Sequence, residues 1–63
     1  MTQKFTYKGY TLTQTDYNYH YMIFDSDGRM VMHVSYGGKL MTEEKAKKLI
    51  EHYFFSFREV KRD

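Results

Sequence analysis

The chain contains no cysteine and no proline. Without cysteine, neither a disulfide nor a thiolate zinc site can support its 63 residues. The same absence fits a reducing cytoplasm, the expected compartment. Without proline, no segment is barred from a sheet. No apolar run approaches the roughly 20 residues of a membrane span. Met1-Thr2-Gln3-Lys4 lacks the apolar stretch of a signal peptide, so neither a membrane nor export is expected. Charge of one sign is also scarce: ten basic and eight acidic side chains leave +2. That balance excludes an acidic mimic of DNA and is too small to mark a nucleic-acid binder by itself.

What the chain does have is seven tyrosines, five phenylalanines and five methionines. A single domain of this length buries only about 60% of its unfolded surface, so its core must come from these side chains. From Tyr10 to Tyr36 the sequence is rich in Tyr, Thr, Val, Phe and Ile, which favour strands. Asp25-Ser26-Asp27-Gly28 separates two apolar runs and reads as a hairpin turn, with Gly28 supplying the left-handed residue.

A loop of Ser26-Asp27-Gly28 sets a register. Phe24 pairs with Met30, Met22 with Met32 and His20 with Val34. On the other face, Ile23 meets Val31, Tyr21 meets His33 and Tyr19 meets Ser35. The first face is the more apolar and is expected to be the core, joined by Tyr10 and Leu12 of a first strand near residues 10–14. A slip of one residue would exchange the faces.

Gly37-Gly38 ends the third strand. Thr42 is then an N-cap, Glu43 and Glu44 suit the positive end of a helix dipole, and Met41 can staple onto Ala46. Ala46, Leu49, Ile50, Tyr53, Phe54 and Phe57 follow the spacing of an amphipathic helix. The expected fold is α+β: a three-stranded antiparallel meander with one C-terminal helix across one face, and a frayed basic tail from Arg58 to Asp63.

That arrangement leaves the other sheet face open, carrying Tyr19, Tyr21, Ile23, Val31 and His33 beside Thr11, Thr13 and Ser35. Aromatics there can stack on unpaired bases or bury against a protein or a second copy of the chain. They can equally be ordinary strand formers with wet hydroxyls. Lys47 and Lys48, with Lys45, Arg58, Lys61 and Arg62, form the densest basic cluster and can meet phosphate or an acidic partner. Glu44 and Glu51 lie within helical reach of these lysines, so a solvated face is the simpler reading. Phe55 falls off the apolar stripe and is either a tail contact or a partner contact. The candidate partner-binding residues are therefore Tyr19, Tyr21, His33, Phe55, Lys47 and Lys48.

No motif for catalysis or cofactor binding stands out. His20 and His33 are expected on opposite faces and His52 on the helix, so no metal site is expected. Asp25-Ser26-Asp27-Gly28 opens like a calcium loop but lacks the later ligands and the closing Glu. Gly37-Gly38 opens no phosphate loop, and no serine carries a nucleophile motif. The protein is expected to be non-catalytic and without cofactor.

Two resemblances follow. Three strands and a helix resemble the DNA-binding arm domains of some transposon integrases, although those are more basic on the reading face. The short, cysteine-free and proline-free chain, with Tyr17, Tyr19, Tyr21 and Tyr36 on a sheet, also resembles in type the small anti-CRISPR inhibitors of phages and mobile elements. That resemblance implies a cytoplasmic protein partner, a host nuclease or its guide complex, and no shared motif carries residue roles across. A nucleic-acid-binding module and a self-associating homodimer remain the alternatives.

Overall fold

The computed structural model describes residues 2–55. Four strands form one antiparallel sheet in the order of the chain: β1 (Gln3–Tyr7), β2 (Tyr10–Gln14), β3 (Tyr21–Phe24) and β4 (Met30–Val34). Helix α1 (Glu43–Phe54) follows and covers one face. The α+β class and the meander agree with the sequence reading, but the sheet has four strands rather than three.

The additional strand is β1. Phe5 and Tyr7 are half-buried while Lys4 and Thr6 are exposed, the alternation of a strand with one covered face. Lys8 and Gly9 join it to β2 with φ of 51° and 86°. A two-residue turn with both φ positive matches the right-handed twist of a hairpin. The pairing then runs without interruption from Tyr7 opposite Tyr10 to Gln3 opposite Gln14.

The second hairpin begins as expected. Phe24 pairs with Met30, and Gly28 takes φ 84°. Asp25 closes the turn: its Oδ1 accepts from the Asp27 and Arg29 amides at 2.9 Å each. Its carboxylate is thus used by the turn itself. Beyond Phe24 the register shifts by one residue, so Ile23 faces Met32 and Met22 faces His33. Val31 is the extra residue, and the irregularity is a β-bulge.

This bulge overturns the predicted faces of β3. Tyr21 and Ile23 lie in the core, whereas Met22 and Phe24 lie on the open face. The assignment on β2 holds, with Leu12 fully buried and Tyr10 against the core. On β4, Met32 and Val34 also keep their predicted side. One inserted residue allows β3 to reverse while most of β4 does not.

The core consists of Leu12, Tyr21, Ile23, Met41, Ala46 and Ile50, flanked by Phe5, Tyr7, Tyr10, Met32, Val34, Leu49, Phe54 and Phe55. Burying a Leu or Ile side chain fully contributes about 1.5–3 kcal/mol. The helix starts where its sequence indicates: Thr42 Oγ1 accepts from the Lys45 amide at 3.2 Å. Met41 and Ala46, the predicted staple pair, are both buried. At the other end Phe54 stacks on Tyr10, with centroids 4.4 Å apart and planes 15° apart. Tyr53 departs from the predicted stripe and is 53% exposed. Phe57 and the basic tail from Arg58 lie outside the described residues.

Candidate functional site

Between β2 and β3 the chain makes a 3-10 turn over Tyr17–Tyr19. Asn18 and Tyr19 both adopt the left-handed region, at φ 55° and 52°. Such conformations cost an L residue energy and persist only where surrounding contacts hold them. Two contacts do so. The Gly37 amide donates to the Asn18 carbonyl at 3.1 Å. The Gln14 Nε2 donates to the Tyr19 carbonyl at 3.1 Å.

Gln14 is the organising residue of this end of the molecule. Its side chain is fully buried at the end of β2. Besides Tyr19, its Nε2 donates to the Lys39 carbonyl at 2.9 Å, and its Oε1 accepts from the Met41 amide at 2.7 Å. Both amide protons and the oxygen are thereby satisfied, which a buried amide requires. One side chain joins β2, the 3-10 turn and the segment entering α1. The approach is close: a Cβ on Gly37 would lie 2.1 Å from the Tyr19 carbonyl oxygen. Only glycine permits the two chains to meet there.

This scaffold presents the most exposed aromatics described. Tyr17 is 75% exposed and Tyr36 is 71% exposed. They flank the two segments that the Gly37–Asn18 hydrogen bond joins. Tyr19, 39% exposed, and Leu40 extend the same end. We call this surface the tyrosine pole.

The predicted partner residues are not gathered in one place. Tyr19 belongs to the pole. Tyr21 does not: it is 8% exposed and faces the core, because the Val31 bulge reverses β3. Burial pushes the Tyr21 hydroxyl above its ordinary pKa, and nearby Tyr53 adds to the effect. His33 is exposed on the open face, cross-strand from Met22. His20, expected in the core, instead sets its ring against His33 with centroids 5.6 Å apart. Ile23 likewise leaves the predicted open face for the core.

Phe55 is not an exposed contact residue. It meets Tyr10 edge-on at 5.7 Å, and the Lys8 Nζ stands 4.9 Å over its ring. Lys47 is exposed, pairs with Glu43 at 3.7 Å and reaches over the Tyr7 ring at 5.8 Å. Lys48 borders a shallow hollow with Thr42, Glu44 and Lys45 at the start of α1. The helical ion pair of Lys47 is thus formed with Glu43, one turn before it. Glu51 reaches the β1–β2 hairpin, where its Oε2 accepts from Tyr7 Oη at 3.0 Å and from Lys8.

Gln14, Gly37, Tyr17 and Tyr36 are absent from the predicted contact set. Gln14 reads in sequence as a polar residue at a strand end, and its partners lie up to 27 positions away. Among the described residues, no helix is long and apolar enough to cross a membrane. No protein family, no curated protein and no solved structure matches the chain.

Proposed function

We propose that this is a non-catalytic binding protein that docks on a larger protein through the tyrosine pole. The target class we favour is a host nuclease, such as a CRISPR effector, inhibited by a phage or mobile element. The observation that carries the binding role is the exposure of Tyr17 and Tyr36 beside segments that buried Gln14 joins through Tyr19, Lys39 and Met41. Tyrosine offers a large amphipathic contact at the cost of ordering two side-chain torsions. Tyrosines are enriched among the residues that dominate binding energy. A scaffold already fixed before contact lowers the ordering cost of association.

The choice of an inhibitor rests on small size and the resemblance in type described above. The test is a cleavage assay with purified effector nucleases titrated with this protein. Wild type is expected to inhibit, and the double variant Tyr17→Ala/Tyr36→Ala to require at least about tenfold more protein while melting at the same temperature. Unchanged inhibition by the double variant would remove the pole from the account. No inhibition by wild type across effector types would remove the target class. Anisotropy of labelled DNA and RNA at about 50 and 200 mM salt separates a direct nucleic-acid role, which weakens steeply with salt.

A further inference from the structure

We infer that His20 and His33 form a two-imidazole chelate for a divalent late transition-metal ion. The inference stands apart from the tyrosine pole and uses the open face of the sheet. Three observations carry it.

The first is proximity. With β3 reversed relative to the expected register, His20 leaves the core side for the open face that His33 already occupies, and the ring centroids are 5.6 Å apart. Two imidazoles bound through nitrogen at about 2.0–2.1 Å to one ion have centroids roughly 4.5–5.5 Å apart, for ligand angles of about 90–120°. The rings meet edge to face with planes 62° apart, so the exposed His33 ring turns for its nitrogen to reach the same ion.

The second is the tautomer of His20. Its Nδ1 lies 3.1 Å from the Tyr17 carbonyl oxygen and 3.0 Å from Thr15 Oγ1. A backbone carbonyl can only accept, so this contact favours the neutral tautomer in which Nδ1 carries the proton and Nε2 keeps its lone pair. Metal-binding histidines are held in this way, one ring nitrogen donating to a carbonyl while the other binds the ion. The chain holding the ring is itself fixed, since the Thr15 amide donates to the His20 carbonyl at 3.1 Å.

The third is the donor chemistry. Imidazole nitrogen suits Cu²⁺, Ni²⁺ and Zn²⁺, with Cu²⁺ the tightest, whereas Ca²⁺ and Mg²⁺ demand oxygen ligands. Among the described residues, no group of three or more His, Cys, Asp or Glu is placed to hold an ion. The remaining coordination positions are therefore taken by water or by a ligand from outside the described chain. The site is an open, exchangeable one rather than a closed structural centre.

The test uses the full chain titrated with Cu²⁺ and, separately, Zn²⁺, followed by calorimetry and by electron paramagnetic resonance for Cu²⁺. One ion per chain is expected, with hyperfine coupling from two imidazole nitrogens and tighter binding of Cu²⁺. His33→Gln, on an exposed side chain that the fold does not need, is expected to weaken binding at least about tenfold. His52→Gln, on the helix, is expected to leave it unchanged. Long-range proton–nitrogen spectra of the metal-free protein are expected to show His20 as the Nδ1-protonated tautomer. Binding insensitive to His33→Gln, loss on His52→Gln, or an Nε2-protonated His20 would each overturn the site.

Discussion

Helix α1 is tied to the sheet by a polar link at each end, and the two links are built differently. Before its first turn, the neutral amide of Gln14 is fully buried and serves Tyr19, Lys39 and Met41. Toward its last turn, Lys8 and Tyr7 meet the Glu51 carboxylate, and the Lys8 and Glu51 side chains remain 47% and 40% exposed. The second link carries full charges and the first carries none. Yet an exposed ion pair is screened by water and salt and contributes little. A buried polar group left without a partner costs about 1–3 kcal/mol. Burial, not charge, decides which link governs the fold.

The largest effect is expected where the buried link meets its closest contact. Gly37→Ala drives a methyl to 2.1 Å from the Tyr19 carbonyl oxygen, so the 3-10 turn must move. Overpacking of this kind costs about 1–3 kcal/mol, and displacing the turn also breaks the Gln14–Tyr19 hydrogen bond, which adds about 1–3 kcal/mol for the buried groups left unpaired. A domain this small has little stability in reserve. Circular dichroism is expected to show a steep fall in melting temperature. A melt unchanged from wild type would mean that the turn is not held as described.

Gln14→Leu keeps the volume but removes every hydrogen bond of the buried link. Two carbonyls and the Met41 amide then lose their partner, and a loss of about 2–4 kcal/mol is expected in urea unfolding. The same variant should weaken target binding even where it folds, because Tyr19 is no longer fixed. Equal stability of Gln14→Leu and wild type would reverse the ranking of the two links.

The smallest effect at neutral pH is expected for Lys8→Met, whose partner Glu51 stays in contact with water and Tyr7. Its signature lies instead in alkali. The hydrogen bond to Glu51 holds the Lys8 pKa above its ordinary 10.5, and burial holds Tyr21 above its ordinary 10.0. Both groups keep their protons more tightly in the folded state than in the unfolded state. Their contributions are therefore complete below about pH 10 and are lost as pH rises through the folded values. Thermal melts from pH 7 to 11 should decline above pH 10, and less so in Lys8→Met and in Tyr21→Phe. A decline that begins near neutrality would point to other groups.

Local signals predict the local structure well. Thr42, the acidic pair Glu43 and Glu44, and the spacing of Ala46 and Ile50 mark the helix, because capping and amphipathicity act within a few residues. Ser26-Asp27-Gly28 marks its turn for the same reason. Strand β1 is signalled by the alternation of Phe5 and Tyr7, but Lys8 disguises the turn, since a left-handed lysine is uncommon.

What is not legible depends on partners distant in sequence. Nothing in the residue type of Val31 announces a bulge, and that single insertion moves Tyr21 and Ile23 to the core. It also brings His20 and His33 together. Gly37 is recognisable as the end of a strand, but its close approach to Tyr19 is visible only in three dimensions. The most exposed tyrosines accordingly stand at the pole, and Tyr21 of β3 is buried.

The central claim is that Gln14 fixes the tyrosine pole before any partner arrives. Amide hydrogen exchange at Gly37 and Met41, in the free protein, tests it most directly. Both amides are expected to exchange only through global unfolding in the wild type, and much faster in Gln14→Leu. Exchange in the wild type as fast as at the exposed Ser26–Gly28 turn would show that the pole is not held, and the account would fail.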